Sequence, residues 1–390
     1  MLHIKKNLKN TQTFYICLII ALGFFLRISI SEYGYMYDLL AHKANVDIYK
    51  YNGNIFESGQ YNYSPLIWIN ILLFLDSLPS FFSDTLIDFR YKLIVFLTFI
   101  DFFSFLILLR LHSLKVASLY YLSPILIFIS GWHNQFDNVA ILIGLLAVLS
   151  YQKLKNDSGF YLCACLLGVS LCAKHILFFF PVWLAFKQKC WKKKILIILI
   201  PFLIFALSFA PYIKENFADL QYQILEYKSL NNYPFWSIFV PQFMYNYLGA
   251  RNLFFAALFL AGLFLQKKNA LETFYHYLIL VVLFSSGIAN QYFAIPLIGI
   301  AVFWNRFYFL FTLSCVWFFL INYDALNITS IAEIFNWSSK KSTIGYKVII
   351  FFLALGYLQN VLGAKKINFF VKKTFKFFFN ILKKQLLIKR

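Results

Sequence analysis

The sequence predicts an all-α polytopic membrane protein that crosses the bilayer many times. Of its 390 residues, 61% are hydrophobic and only 13% are charged, whereas a soluble domain is nearer half apolar and a quarter charged. Its mean hydropathy is +0.69, and apolar runs recur along the whole chain. The runs are continuous rather than alternating, which favours helices over the short alternating strands of a membrane barrel.

About twelve of these runs are candidate membrane spans. The first is predicted to be a retained signal-anchor helix, because no convincing small-residue cleavage site follows the basic N-terminus. Several runs are short for a full crossing, so tilted, broken or fused helices are alternatives. The candidates are residues 14–31, 92–109, 117–131, 138–151, 159–173, 175–186, 195–212, 251–265, 273–289, 291–304, 307–322 and 346–363.

One further apolar run, residues 64–82, either spans the membrane or lies at its interface. If the N-terminus is cytoplasmic and this run does not span, most Lys and Arg fall in inside loops, as the positive-inside rule requires. A spanning helix would invert the N-terminal half relative to those charges. We therefore predict an interfacial or re-entrant helix within a first external loop, residues 32–91. Lys340 and Lys341 are the external pair that fits poorly.

The net charge of +20 indicates attraction to anionic lipid. Nucleic-acid binding is disfavoured, because the basic residues are scattered over short loops and one tail. That tail, residues 365–390, contains no acid, and its lysines fall close to one helical stripe. We expect it to form a cytoplasmic amphipathic helix on the membrane, after a transmembrane domain at residues 1–364. A partner-binding site is the alternative for the tail.

Five of the six cysteines lie in apolar runs, and Cys190 lies in a basic loop. Their spacing matches no metal site, and Cys163 and Cys165 are separated by a single residue. We therefore expect the cysteines to be small buried side chains rather than disulfides or metal ligands.

The predicted topology sorts the polar stretches by side. Basic loops face the cytoplasm, whereas the outer side collects stretches rich in titratable and hydrogen-bonding side chains. Those outer stretches are Asp38 with its neighbours and residues 131–138, 173–177, 213–250 and 289–293. Because they meet at one face of the bundle, we expect a functional site there.

The first outer stretch centres on Asp38, just after the first span. If this segment is helical, Asp38 and His42 are four residues apart and share a face, with Lys43 beside them. A carboxylate beside an imidazole and a cation, at the mouth of an apolar bundle, is suited to act as a base. The alternative is a solvated interfacial ion pair. Tyr61 and Tyr63 of the same loop are expected at the headgroup belt.

The segment GWHNQFDN connects two apolar spans with scarcely any loop. It supplies His133, Asn134, Gln135 and Asp137, although a tight turn needs only Gly and one or two polar residues. A ligand-binding segment is the functional interpretation, and a hydrated turn is the alternative. Asp101 lies deep in an apolar run, so it must face the bundle, where a structural hydrogen-bonding role is favoured.

Two later polar stretches have similar dual interpretations. Lys174 and His175 interrupt an apolar run; the lysine either snorkels from a helix end or provides a cation for a phosphate at headgroup level. Asn290, Gln291 and Tyr292 offer hydrogen-bonding groups in the same way. For these three a simple interfacial turn is an equal alternative.

Five of these motifs, in order across residues 1–300, resemble those of the GT-C membrane glycosyltransferases, which use sugars linked to polyprenyl phosphates. The similarity is nearest to the dolichyl-phosphate-glucose and dolichyl-phosphate-mannose enzymes of the endoplasmic reticulum and their bacterial relatives. Each motif is short, and Ser64 replaces the first Pro of the family's Pro-Pro-Leu element. The matching segments are YDLLAHK, YNYSPL, GWHNQFDN, AKHILFFFP and NQYFAIP.

The resemblance implies a GT-C-type bundle and inverting transfer of a hexose at the outer face. Asp38 takes the position of the catalytic base, which accepts a proton as the acceptor hydroxyl attacks the anomeric carbon. The leaving lipid phosphate needs cations rather than an acid, and Lys174, His175 and Lys43 are the candidates. Together the expected substrate-binding residues are His42, Lys43, Tyr61, Tyr63, His133, Asn134, Gln135, Asp137, Lys174, His175, Gln291 and Tyr292.

The implied partners are a polyprenyl-phosphate-linked hexose as donor, a lipid-linked or cell-surface glycan as acceptor, and membrane lipid. The implied location is a bacterial plasma membrane, with both termini cytoplasmic. A divalent metal would find carboxylates in Asp38 and Asp137, but no residue pattern requires one. Neither the hexose nor the acceptor is encoded by motif spacing, because the shape of the pocket selects both.

Two other classes of membrane protein compete with this interpretation. A proton-coupled transporter would also use intramembrane Asp, Lys and His, but it predicts polar residues at the midplane of several spans. Here they cluster at one end, and no clear internal repeat is present. A polysaccharide polymerase or flippase is the third class. A polymerase would typically carry arginines in a large outer loop, and the loop at residues 213–250 has none.

Overall fold

The computed structural model describes residues 10–364 except 53, 59–60, 155–156, 226–233, 323–324, 327 and 335–338. The predicted amphipathic tail at residues 365–390 therefore lies outside the described residues. The described part of the chain is 81% helical and contains no β-strand, which confirms the all-α prediction for that part.

The described α-helices follow one another in chain order. They are α1 (Asn10–Ser31), α2 (Tyr37–Asn52), α3 (Trp68–Ser77), α4 (Thr85–Leu111), α5 (Leu114–Tyr121), α6 (Pro124–Phe128), α7 (Asp137–Lys153), α8 (Asp157–Ala173), α9 (Phe180–Phe186), α10 (Trp191–Leu207), α11 (Ile213–Leu220), α12 (Pro234–Phe239), α13 (Gln242–Leu248), α14 (Ala250–Phe264), α15 (Ala270–Leu283), α16 (Leu297–Val302), α17 (Arg306–Ile321), α18 (Thr329–Ile334) and α19 (Ser339–Leu362). Short 3-10 helices occupy Ile55–Ser58, His175–Leu177, Ala210–Tyr212 and Asn290–Ala294, and π-helical turns occupy Ile129–His133 and Gln221–Leu225.

Several helices are long and apolar enough to cross a membrane, which indicates a membrane protein. Within the described residues there are five: Gln12–Ser31, Thr85–Leu111, Leu114–His133, Trp191–Tyr212 and Ser342–Leu362. A sixth results if α13 and α14, which meet at 90°, form one broken span. Most of the other predicted spans correspond to shorter apolar helices, so the figure of about twelve crossings stays a prediction.

Both predicted external segments contain helices, and only the loop at residues 213–250 is more regular than expected. In the run at residues 64–82, α3 has only 10 residues. It spans about 15 Å, half of a hydrocarbon core, and cannot cross alone. The predicted loop at residues 213–250 is largely helical where it is described, because α11, a π-helical turn, α12 and α13 follow in succession.

Two large hydrophobic cores hold the described helices together, and a small third cluster contains Phe307 and Leu355. The larger core joins the long helices of the bundle, from α4 to α19. The smaller core packs α2 and α3 against α4 and the start of α7, through Leu39, Trp68, Leu93 and Phe136 among others. Because Phe136 belongs to this smaller core, the segment before α7 is fixed against α2.

A buried ion pair links α1 to α4. Arg27 Nη2 lies 3.0 Å from Asp101 Oδ2, and both side chains are fully buried. Arg27 Nε donates to Ser130 Oγ at 2.9 Å, and Asn138 Nδ2 donates to Asp101 Oδ1 at 2.7 Å. The pair therefore fastens both ends of the segment from Ser130 to Asn138. The prediction that Asp101 faces the bundle is confirmed, and its carboxylate is hydrogen-bonded there; its partner Arg27 was not predicted.

The cysteines differ in part from expectation. All six are free; Cys163, Cys172 and Cys315 are buried. The expectation of burial is wrong for Cys17, Cys165 and Cys190, which are exposed. Cys17 and Cys165 lie on outward faces of apolar helices, where sequence hydrophobicity alone does not distinguish a face towards lipid from one towards the core.

Candidate functional site

Asp38 and His42 lie on one face of α2, as predicted. Asp38 occupies the first turn of the helix, where a carboxylate interacts favourably with the helix dipole. Its side chain is 35% exposed, whereas His42 is buried. The face therefore presents one accessible carboxylate with a buried imidazole behind it.

The segment between α6 and α7 makes a sharp turn towards α2. The π-helical turn ends at Asn134, which adopts a left-handed conformation (φ 59°, ψ 36°) that Asn tolerates better than most residues. Gly131 lies against α1, where an added Cβ would sit 2.6 Å from the Arg27 carbonyl oxygen. Asn134 and Gly131 thus permit the turn of the backbone that brings His133 and Gln135 next to Asp38.

Four polar side chains form a continuous chain of hydrogen bonds and ion pairs. Gln135 Nε2 donates to Asp38 Oδ2 at 2.7 Å, and Gln135 Oε1 accepts from Lys174 Nζ at 3.1 Å. Lys174 Nζ also lies 2.8 Å from Asp137 Oδ2. Because its amide faces a carboxylate at one end and an ammonium at the other, Gln135 has one favoured orientation. His133 Nδ1 lies 3.5 Å from Asp38 Oδ2.

Aromatic rings enclose the lysine of this network. Trp68 stacks on Phe136 with ring centroids 3.5 Å apart. Lys174 Nζ lies 4.9 Å from the Phe136 ring centroid and 5.6 Å from that of Tyr63. These cation–π contacts stabilise a buried ammonium. Tyr63 therefore lies beside the Lys174 ammonium, and its role in substrate binding stays a prediction.

The structure does not bring Lys43 to Asp38. Lys43 Nζ lies 2.7 Å from Asp47 Oδ1 and 3.1 Å from Asp76 Oδ1. Residues one position apart on a helix do not face each other, so Lys43 points away from the face shared by Asp38 and His42. The expectation that Lys43 is a neighbour of the carboxylate is corrected accordingly.

Tyr61 also differs from expectation. Its side chain is 1% exposed, so its ring packs inside the protein rather than facing lipid headgroups. The hydroxyl donates to the Ser64 carbonyl and accepts from the Ile69 N–H. Tyr61 therefore closes the turn that leads into α3 and packs edge-on against Tyr63, with ring centroids 5.7 Å apart.

A cavity of about 350 Å³ lies next to the Lys174 end of the network. Its polar lining includes Asp137, Lys174, His175, Gln223 and Arg251. Much of the remaining wall is apolar: Phe178, Phe179, Phe205, Phe254, Val281 and Ile295. Such a volume is at the small end of the range for ligand pockets, and the mixed lining suits a molecule with one polar and one apolar end.

The predicted residues divide between the two sides of Gln135. His175 and Tyr292 line the cavity together with Lys174. Asp38 and Gln291 are not among its lining residues. Asp38 instead stands on the other side of the Gln135 amide, with part of its side chain accessible. The site therefore has a partly exposed carboxylate and a neighbouring cavity, separated by a single amide group.

The binding of a divalent metal by Asp38 and Asp137 remains a prediction. The described residues contain no group of three His, Cys, Asp or Glu that could hold a metal ion. One oxygen of Asp137 contacts Lys174, and one oxygen of Asp38 accepts from Gln135. The opposite charge of Lys174 already balances Asp137.

Burial lowers the pKa of His42 from 6.5 to about 4, although the nearby Asp38 carboxylate raises it; Lys174 and His133 lower it further. The unfolded chain therefore binds one more proton between these two values, and stability falls as the pH drops from about 6.5 to about 4. Trp68 Nε1 donates to His42 Nδ1 at 3.4 Å, and His42→Asn keeps an acceptor for this N–H but does not titrate. We expect this substitution to reduce the fall in the free energy of unfolding on acidification by about 2–3 kcal/mol.

This pH dependence is measured by the unfolding midpoint of detergent-solubilised protein at pH 7.5 and at pH 4.5. The wild type is expected to lose more stability between these conditions than His42→Asn does. Equal losses in the two proteins would mean that His42 is not held neutral by its surroundings.

Three residues of this region escaped the sequence analysis. In the sequence, Arg27 is a single charge near the end of an apolar span, which is a position typical of residues that flank a membrane helix. Gln223 lies in a polar stretch that gives no periodic signal, and Arg251 precedes an apolar run like any flanking charge. Only the folded arrangement brings Gln223 and Arg251 to the wall of the cavity.

No family model, curated protein or solved structure matches this chain. The function proposed below is therefore based on the arrangement of the site and the physical chemistry of its residues.

Proposed function

We propose that the protein is a GT-C-type membrane glycosyltransferase with about twelve membrane crossings. It transfers a hexose, with inversion, from a polyprenyl-phosphate-linked donor to a hydroxyl of a lipid-linked or cell-surface glycan at the outer face of a bacterial plasma membrane. The observation that supports it most is the Gln135 amide. It joins an accessible carboxylate, Asp38, to a buried cation, Lys174, beside an amphipathic cavity.

Asp38 is the base in this proposal. Its carboxylate accepts the proton of the acceptor hydroxyl while that oxygen forms a bond to the anomeric carbon of the sugar. The bond between the anomeric carbon and the phosphate oxygen breaks at the same time, and the electron pair leaves with the lipid phosphate. The Gln135 N–H bond to Oδ2 orients the carboxylate, and its remaining lone pairs stay available.

The departing phosphate gains negative charge and is stabilised by cations. Lys174 is fixed by Gln135 and Asp137 at the polar end of the cavity, so its ammonium does not have to reorganise during the reaction. The apolar wall of the cavity suits the first units of a polyprenyl chain, which reach the site from the bilayer. A preorganised cation beside an apolar wall matches the two ends of a lipid phosphate.

A proton-coupled transporter is the second candidate. The observation that favours it is the fully buried Arg27–Asp101 pair, because paired charges inside a membrane bundle often mark ion pathways. If the protein is a transporter, substitution of this pair abolishes proton-driven uptake. The wild type then makes and breaks no glycosidic bond.

The two candidates are distinguished with purified protein in proteoliposomes. The transferase is expected to convert labelled polyprenyl-phosphate glucose or mannose, with lipid-linked glycans extracted from cells, into a glycan of opposite anomeric configuration. No product with any such acceptor, together with cargo uptake driven by a proton gradient, would contradict the proposal and support the transporter.

A further inference from the structure

Two buried acceptor atoms belong to residues that line the cavity. Asp137 is 1% exposed and Gln223 is 4% exposed. Neither Asp137 Oδ1 nor Gln223 Oε1 has a hydrogen-bond partner among the described residues. Buried acceptors are normally satisfied, so two of them at one cavity indicate a ligand that carries hydrogen-bond donors.

The remaining polar atom of each side chain is already committed. Asp137 Oδ2 contacts Lys174 Nζ at 2.8 Å. Gln223 Nε2 donates to the Phe56 carbonyl oxygen, which fixes the orientation of the amide and leaves Oε1 as its uncommitted atom. Both positions therefore accept and do not donate, which is the complement of sugar hydroxyl groups rather than of phosphate oxygens.

A phosphate has a different place at the same cavity. Arg251 lines it from the first turn of α14, a helix of 15 residues, and its side chain has no hydrogen bond or ion pair within the described part of the chain. A helix N-terminus attracts anions, and a guanidinium binds phosphate oxygens in pairs. Lys174, which is held by Asp137 and Gln135, lines the same cavity and is the second cation, the one that stabilises the departing phosphate.

We infer that the cavity is the binding site for the hexosyl phosphate head of the donor, with sugar hydroxyls donating to Asp137 Oδ1 and Gln223 Oε1 and the phosphate bound by Arg251. This inference rests on the proposed function and names the residues that select the sugar. A volume of about 350 Å³ holds a head group and excludes most of a polyprenyl chain, which extends over the apolar wall.

The experiment measures equilibrium binding of three labelled lipids to the full chain in nanodiscs: polyprenyl-phosphate glucose, polyprenyl-phosphate mannose and bare polyprenyl phosphate. Gln223→Met is expected to weaken binding of the preferred hexose lipid roughly 3- to 10-fold, the effect of one hydrogen bond. It is expected to leave binding of the bare lipid unchanged, which also shows that the variant is folded. Gln188→Met is the matched control, because Gln188 is not among the lining residues of the cavity.

Arg251→Gln gives an independent test of the phosphate position. It is expected to weaken all three lipids by about tenfold or more, since a hydrogen bond to a charged group is stronger than a neutral one. Arg110→Gln is its control, because Arg110 lies exposed in the last turn of α4 and is not among the lining residues of the cavity.

The outcomes separate this inference from the proposed function. Equal affinity of the wild type for hexose-bearing and bare lipid would overturn the inference, as would equal weakening of all three lipids by Gln223→Met. Transfer by the wild type, with unchanged donor affinity in Gln223→Met, would also overturn it and leave the transferase standing. Sugar-selective binding that depends on Gln223, without transfer to any acceptor, would support the inference and contradict the transferase.

Discussion

Asp38→Asn is expected to lower the rate of hexose transfer by about 10²- to 10⁴-fold, the usual contribution of a general base. The amide cannot accept the proton of the acceptor hydroxyl, whereas its size and its hydrogen bond with Gln135 are nearly preserved. Because the substitution acts on the proton transfer, we expect kcat to fall and the KM for the donor to change little. The rate is measured with purified protein and polyprenyl-phosphate hexoses.

The chain offers a matched control on the same helix. Asp47 also lies in α2, is 57% exposed and pairs with Lys43, so Asp47→Asn removes a carboxylate of the same helix without touching the network. It is expected to retain nearly full activity. Normal transfer by Asp38→Asn would exclude Asp38 as the base, and an equal loss in both variants would point to a general effect of charge on α2.

Arg27→Met is expected to lower the free energy of unfolding by about 3–5 kcal/mol, because it leaves Asp101 buried without its cation. Arg27 also donates to Ser130 and to the Gly23 and Tyr121 carbonyls, so four contacts are lost at once. The measurement is denaturant-induced unfolding in detergent micelles. Arg110→Met, which removes an exposed arginine from the end of α4, is expected to change the free energy by less than about 0.5 kcal/mol.

A second variant separates the cost of the lone charge from the value of the pair. Combining Arg27→Met with Asp101→Leu removes both charges, and replacement of a buried ion pair by apolar side chains is often close to neutral. We expect the double variant to recover most of the lost stability. A double variant as unstable as Arg27→Met would show that packing and hydrogen bonds of the arginine, rather than the unpaired carboxylate, explain the loss.

The fold class followed from the sequence because hydrophobicity is a local property. Continuous apolar runs gave the all-α membrane architecture, and loop charge argued against a spanning helix at residues 64–82, which agrees with the 10-residue α3. The number of membrane crossings could not be derived from hydrophobicity in the same way. Helices such as α8 and α17 are short and apolar, and composition does not show whether such a helix crosses, tilts or re-enters.

The network of the site was only partly accessible to sequence reasoning. Asp38, Gln135 and Lys174 stood out because each is a polar residue in an apolar context, and the structure joins them. Their order in the chain of contacts could not be read from the sequence, because it depends on the left-handed turn at Asn134. Gln223 was missed because the polar stretch that contains it shows no periodic pattern.

The Arg27–Asp101 pair has a consequence for how the protein is made. The two residues are 74 positions apart, so α1 leaves the ribosome well before its partner carboxylate is synthesised. An unpaired arginine is costly inside a bilayer, and its long side chain reaches back to the headgroups. We therefore expect α1 to insert first at a depth that keeps the Arg27 side chain near the headgroups. It reaches its final depth only when α4 has inserted beside it. The segment that carries Gln135 follows α4 in the chain and is fastened to both helices, so we expect it to acquire its shape only after the pair has formed.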